Sequence, residues 1–375
     1  MSTFDTSNLE NTSGGAPDFS QGLTVGGTDI TSLVTMTEYY DQASEPSSPA
    51  NGAVWYDGTD VLQYVNGGWY TLTVTPPPLY LGDTVAARFS CNLADFPDSG
   101  LQTYNIATTG NATNFGDLTN AIKLYSSPAS NRTIGVFVDG QTKTFIDGGY
   151  TTLSTQAIEY YTFATLGNAT SFGDATQSSG QAQGMSDGTY GVFGPLNYVT
   201  YQIIYITFAT PGNAVDFGDA SHARSRASAC SDGSRGVMAG GYYYDNVIDY
   251  ITIATPGNAI DFGDLTAATQ SLAGCSDTTR GVFAGGEVSG SQTNTIGYVT
   301  IQTLGNATDF GDLTVARREL SAAANETRGT FAGGIQPSTP WNTIDYVTIQ
   351  TPGNATDFGD LTSTTNSAAS ATSGG

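Results

Sequence analysis

The chain is poor in charge, in histidine and in cysteine. Charged residues make up 12% of its 375 residues, only 11 of them are basic, and the net charge is −23. So few Lys and Arg cannot form the cation clusters that phosphate binding needs, which argues against nucleic acid or an anionic membrane as partner. One histidine, His222, leaves no material for a His-built metal site and little for a Ser-His-Asp triad. It reads as an ordinary structural residue. The three cysteines, Cys91, Cys230 and Cys275, lie far apart in sequence. Cys230 and Cys275 hold equivalent positions where other stretches carry Ala, so they read as small core residues rather than a disulfide framework. No run of 18 apolar residues is present, so no segment reads as a membrane span. The opening MSTFDTSNLENTSGGAPDFS lacks a basic and an apolar region and does not read as a secretory signal. Lys and Glu are scarce and no long stretch shows a 3.6-residue apolar period, which argues against long helices.

What is abundant is glycine (47), tyrosine (21) and one recurring phrase. The phrase reads GNATNFGDLT at 110–119, GNATSFGDAT at 167–176 and GNAVDFGDAS at 212–221. It returns as GNAIDFGDLT at 257–266 and as GNATDFGDLT at 305–314 and 353–362. Its phenylalanines, Phe115, Phe172, Phe217, Phe262, Phe310 and Phe358, are 57, 45, 45, 48 and 48 residues apart. A period of roughly 40–50 residues is that of propeller blades.

The best copy predicts four strands. ARRELSAAA (316–324) is a first strand and RGTFAGG (328–334) a second that ends in a double glycine. NTIDYVTI (342–349) is a third, and ATDFGDL (355–361) a short fourth entered through a Pro-Gly-Asn turn. Such a sheet buries both faces only by stacking with neighbours around an axis. The glycine pairs Gly240–Gly241, Gly285–Gly286 and Gly333–Gly334 suggest inner strands crowded near that axis. The residues SAASATS near the C-terminus resemble a first strand without its blade. They are expected to complete the first blade and remove the ring's open edge. LYLGD (79–83) fits either a second strand or the tail of a phrase.

This unit resembles the kelch repeat, although it lacks the late Trp of that pattern; the Phe of FGD is expected to take its packing place. More closely, GNATDFGDLTVARRELSAA followed by TRGTFAGG resembles repeats in structural proteins of marine bacteriophages, cyanophages among them. The resemblance spans about residues 80–375 and implies a virion protein, without indicating which part of the particle. The expected fold is thus all-β: a six-bladed kelch-like β-propeller at 79–375, a small β-meander and proline hinge at 46–78, and an extended arm at 1–45.

The meander GAVWYDGTDVLQYVNGGWYTLTV (52–74) has Asp-Gly and Asn-Gly turns, strong hairpin signals. Its anchor aromatics Trp55, Tyr64 and Trp69, with Tyr56 and Tyr70, would pack a single face. A unit this small is expected to pack on a copy of itself or on another virion protein. A trimer is the expectation by analogy with phage fibres.

The repeated residues suggest structure more than chemistry. The FGD aspartates Asp117, Asp174, Asp219, Asp264, Asp312 and Asp360 recur in every copy, whereas a catalytic acid needs a distinctive environment. They read as turn or cap groups bonding backbone N–H; oxygen-rich loops of this kind would also suit calcium. Arg132, Arg235, Arg280 and Arg328 precede the second strand and are expected to pair with blade carboxylates. SDGSRG (231–236) and SDGTYG (186–191) do not match the sialidase box. No catalytic residue, cofactor or metal ligand is singled out, and the chain is read as not an enzyme. The sequons within GNAT read as turn residues.

The segments after the second strand vary and are rich in aromatics. Tyr150, Tyr198, Tyr201, Tyr242, Tyr243, Tyr244 and Trp341 lie in them and are the candidate binding residues. They would cluster on one face of the ring, or else pack between blades. The leading expectation is a virion appendage anchored through 1–74 that displays the propeller to a host receptor or glycan. The alternatives are a capsid decoration protein without host binding and a polysaccharide-degrading enzyme.

Overall fold

The computed structural model describes residues 100–117, 128–131, 133–138, 156–163, 167–178, 182–196, 199–242 and 245–364, with the backbone of the strands outside them. All regular structure among the described residues is β. The chain forms two units, Met1–Pro77 and Pro78–Gly375.

In the first unit, Val54–Tyr56, Val61–Val65 and Gly68–Thr71 form the antiparallel meander. Tyr39–Asp41, from the segment read as an extended arm, adds a fourth strand parallel to Val54–Tyr56. Parallel neighbours need a connection of about a dozen residues, which 42–53 supplies. Trp55, Tyr64 and Trp69 sit on these strands, with Tyr64 opposite Trp69 in register. Their side chains lie outside the described residues.

The second unit is a β-propeller. Five blades are each formed by one continuous stretch. Blade I comprises Ser127–Asn131, Ile134–Val138, Ala157–Thr162 and Thr170–Asp174. Blade II comprises Gln183–Ser186, Tyr190–Gly194, Gln202–Thr207 and Val215–Asp219. Blade III comprises Ser228–Ser231, Arg235–Ala239, Val247–Thr252 and Ile260–Asp264. Blade IV comprises Ala273–Ser276, Arg280–Ala284, Thr295–Thr300 and Thr308–Asp312. Blade V comprises Ser321–Ala324, Arg328–Ala332, Thr339–Thr348 and Thr356–Thr365. Six blades were expected from the phrases; the first phrase copy forms none from its own stretch. Its strands Thr84–Arg88, Gly100–Asn105 and Thr113–Asp117 are completed by Ala369–Thr372, which pairs antiparallel with Thr84–Arg88. Thr84–Arg88 therefore takes the second-strand place, and 79–83 lies outside the described residues.

The first strands of successive blades lie side by side, so they line the axis. This corrects the expectation built on the glycine pairs. Room near the axis is gained by the small residues of SACS, AGCS and SAAA. The glycine pairs instead end the second strands, where Gly240, Gly285 and Gly333 hold φ of +68°, +64° and +66°. A Cβ on Gly285 would stand 2.6 Å from the Arg317 carbonyl oxygen of the next blade.

The FGD phrase is a β-bulge. In blade III, Ile248 faces Gly263 and Asp249 faces Asp261, so Phe262 is the extra residue on the outer strand. The same shift occurs at Phe115, Phe172, Phe217, Phe310 and Phe358. The bulge turns each Phe inward to 3–4% exposure, edge-on to a third-strand tyrosine. Ring pairs such as Tyr205–Phe217 (6.0 Å) and Tyr298–Phe310 (5.8 Å) repeat this contact.

Candidate functional site

The repeated polar residues come first, because they decide what remains for a ligand. Each GNA turn bonds to the FGD strand of the preceding blade. Asn258 Oδ1 accepts the Asp219 N–H at 3.0 Å, and the Ala259 N–H donates to the Asp219 carbonyl at 2.8 Å. The pattern recurs for Asn168 on Asp117, Asn213 on Asp174, Asn306 on Asp264 and Asn354 on Asp312. Asn111 of the first copy closes the series on Asp360 of the last, at 3.0 Å. The glycine between Phe and Asp allows the close approach: a Cβ on Gly311 would stand 2.4 Å from the Gly353 carbonyl oxygen. So the Asn side chain, not the Asp carboxylate expected, caps the backbone. The carboxylates of Asp174, Asp219, Asp264, Asp312 and Asp360 accept no hydrogen bond among the described residues and stand partly or fully exposed. The asparagines without a sequon, Asn213 and Asn258, make the same bond as those within one.

The arginines before the second strand also bridge blades. Arg235, Arg280 and Arg328 lie over the rings of Tyr250, Tyr298 and Tyr346 at 4.3, 4.7 and 4.7 Å. Their guanidinium groups donate to Ile301, Ile349 and Ala107 carbonyls of the next sheet. Among the described residues these three have no carboxylate partner, because each side chain extends across the blade gap, where backbone carbonyls lie. Arg132 lies outside the described residues.

Two ion pairs that sequence reasoning missed are fully buried. Arg224 bonds Asp249 at 2.6 Å, and Arg317 bonds Asp345 at 2.9 Å, with no side-chain exposure. Arg317 also donates to the Gly333 and Phe331 carbonyls, tying the end of the second strand to the third. A signal for them was present in the repeats. Arg224 with Asp249 and Arg317 with Asp345 occupy equivalent positions as opposite charges, while blade IV has Thr269 with Gly297. Asp249 additionally accepts from the Ser221 hydroxyl, and Thr314 donates likewise to Asp345. Ser221 Oγ also lies 2.7 Å from His222 Nδ1. This is not the order of a triad: the carboxylate holds the serine and an arginine, and no carboxylate among the described residues bonds the histidine. The described residues hold no group of three His, Cys, Asp or Glu able to bind a metal.

One loop surface remains. Segments between second and third strands meet the segments that enter each blade: the Tyr242 N–H donates to the Ser225 carbonyl, and Ala220 N–H donates to the Tyr201 carbonyl. Tyr201 is 48% exposed and Tyr242 39% exposed. Both therefore stand exposed on the loop surface. Trp341 does not: it lies half-buried on strand Thr339–Thr348 opposite Thr365. Tyr150 lies on strand Gly149–Ser154 opposite Phe145, in a three-stranded sheet with Gln141–Ile146 and Lys123–Leu124. These two were read as loop residues because alternation is hard to see in short Thr-rich and Pro-containing stretches. Tyr198, Tyr243 and Tyr244 lie outside the described residues.

The inner strands end in a serine ladder across blades. Ser231 Oγ donates to the Ser186 carbonyl at 2.9 Å, and Ser276 Oγ to the Ser231 carbonyl at 2.7 Å. Burial pushes the Cys230 and Cys275 thiols well up from their ordinary range, with nearby acidic groups adding to it and, for Cys275, the Cys230 thiol as well. Both are free and buried, and thus unsuited to thiolate chemistry.

A scan against protein-family models finds no match for the chain, and neither does a search of curated proteins.

Proposed function

We propose that this chain is a structural display protein whose propeller presents a variable loop surface to a host-cell receptor or glycan. The observation behind this reading is the use of the repeated polar residues. Asn, Arg and buried Asp at equivalent positions are consumed in bonds within and between blades. The exposed aromatics Tyr201 and Tyr242 lie outside the repeated phrase, on the segments that differ from blade to blade. A scaffold whose repeats hold the ring and whose non-repeated residues face solvent is suited to recognition. We further propose that the ring is six-bladed, with the composite sheet of Thr84–Arg88, Gly100–Asn105, Thr113–Asp117 and Ala369–Thr372 as the sixth blade. The cyclic run of Asn–Asp bonds, from Asn111 to Asp360, supports that count.

The resemblance to phage repeats makes a virion the proposed location, the Met1–Pro77 unit the proposed attachment to other virion proteins, and a homo-oligomer, most simply a trimer, the proposed state. The test has two arms. Antibody to the propeller should label intact virions in electron micrographs. Fluorescent 78–375 protein should bind cells of the bacterial host, and Tyr201→Ala with Tyr242→Ala should abolish that binding. Absence of label on virions sinks the location; cell binding untouched by the two substitutions sinks the role of the loop surface.

A further inference from the structure

The described arginines divide sharply. Arg224 and Arg317 are held by buried aspartates, Arg318 by Glu287, and Arg235, Arg280 and Arg328 by carbonyls across blade gaps. Arg226 alone among them has neither a carboxylate nor a carbonyl partner; its guanidinium lies 5.3 Å from the centre of the Tyr242 ring. In a chain of net charge −23 an unpaired guanidinium is surrounded by a field that would favour pairing. Its isolation follows from how its backbone is held. Arg226 has φ +56°, its carbonyl accepts the Ser271 N–H at 2.7 Å, and the Ser225 carbonyl beside it accepts the Tyr242 N–H at 2.7 Å. Equivalent residues Ser271 and Glu319 have φ +57° and +59°, and Glu319 N–H donates to Ser271. The backbone geometry is thus common to three blades, while the cation resting on an exposed aromatic ring is particular to blade III.

The segment 220–226 leading to Arg226 has Tyr201 at its other end and the exposed His222 between. One surface therefore presents two exposed phenol rings, an imidazole and one uncompensated cation. Phenol rings stack on the apolar faces of sugar rings, and a guanidinium pairs with carboxylate or sulfate through a planar fork. We infer that the junction of blades II and III is a binding site for an anionic saccharide, with Arg226 recognising its acidic group and Tyr201 and Tyr242 its sugar rings. This inference rests on the display reading above and names the ligand class for that surface.

The experiment uses the full-length protein and four immobilised probes: oligogalacturonate, its methyl ester, a sulfated carrageenan oligosaccharide and dextran. Binding is expected to one or both acidic probes and not to the ester or dextran, and it should weaken as salt is raised. The acidic probe bound, carboxylated or sulfated, identifies the source of the charge. Arg226→Asn retains a residue that tolerates the left-handed backbone, so its melting temperature should be unchanged. Its affinity for the acidic probe should fall at least about tenfold, as expected for loss of a charge-assisted hydrogen bond. Equal binding of ester and acid, no binding of either acidic probe, salt-insensitive binding, or full affinity in Arg226→Asn would each overturn the assignment. Host-cell binding that persists while all four probes fail would leave the display reading intact and remove only the anionic saccharide.

Discussion

At the scale of single residues, glycine and cysteine positions give the sharpest tests. Gly311 has φ +149°, and a Cβ there would meet the Gly353 carbonyl oxygen at 2.4 Å, whereas Gly353 has open space around its own Cβ position. Gly311→Ala is expected to destabilise the fold by about 3 kcal/mol, from backbone strain plus the steric overlap. Gly353→Ala, one turn away in the same contact, should cost under about 0.5 kcal/mol. Urea unfolding of the two variants checks the contrast. The cysteines predict a pH effect of defined sign. Burial raises the native Cys230 and Cys275 thiols, while in the unfolded chain they ionise near about 8.5. Below that pH both states keep the protons and stability is unaffected. Above it only the unfolded chain releases them, so stability is lost as pH rises, on the order of 1 kcal/mol per unit for each thiol. Unfolding at pH 8 and pH 10 should show this loss, and Cys230→Ala with Cys275→Ala should reduce it.

At the scale of the blade, the buried ion pair is a local alternative to a neutral pair. Arg317→Met alone leaves Asp345 buried without its partner and should cost about 3–5 kcal/mol. Blade IV shows what the same position looks like without charge, with Thr269 and Gly297. Replacing both residues in blade V by that natural pair should cost much less than Arg317→Met, as a double-mutant cycle would measure. If the double variant is as unstable as the single one, the pair does more than satisfy itself. The inner strands carry a related complementarity: a Cβ on Gly281 would lie 2.6 Å from Cys230 Sγ, and one on Gly329 2.7 Å from Cys275 Sγ. The Arg-Gly that opens each of these second strands therefore serves two contacts, arginine reaching outward to the next sheet and glycine receiving a side chain from the previous blade.

At the scale of the whole propeller, closure depends on residues distant in sequence. Ala369–Thr372 pairs with Thr84–Arg88, Asn111 bonds Asp360, and the Tyr104 hydroxyl meets Thr330 Oγ1 at 2.8 Å. Burial raises the Tyr104 hydroxyl well above its ordinary range, so it stays a neutral hydrogen-bonding group. Deleting 366–375 exposes an unpaired edge on Thr84–Arg88. The truncated chain is expected to melt at least about 5 °C lower, since each kcal/mol lost is worth a few degrees at this size. An internal substitution of the same chemistry, Asn258→Ala, should cost only about 1 kcal/mol. A truncation that melts unchanged would mean the seam contributes no stability.

Much of the architecture was legible because it is repeated. Period, strand order within a blade and the inward role of the FGD phenylalanine follow from local pattern, and local pattern is what a strand's two faces and a bulge require. The first and second strands were placed as the structure has them, but the glycine pairs were misread as marking the axis, because crowding there depends on which strand faces it. The roles of Asn258, Arg235 and Arg317 were also decided by tertiary structure. Each acts on a group 39, 66 or 28 residues away, and no local propensity records which carbonyl or carboxylate the fold brings within reach. Arg226 shows the same division: the sequence by itself determined that cations would be few, and only the folded ring decided which of them would be left without a partner.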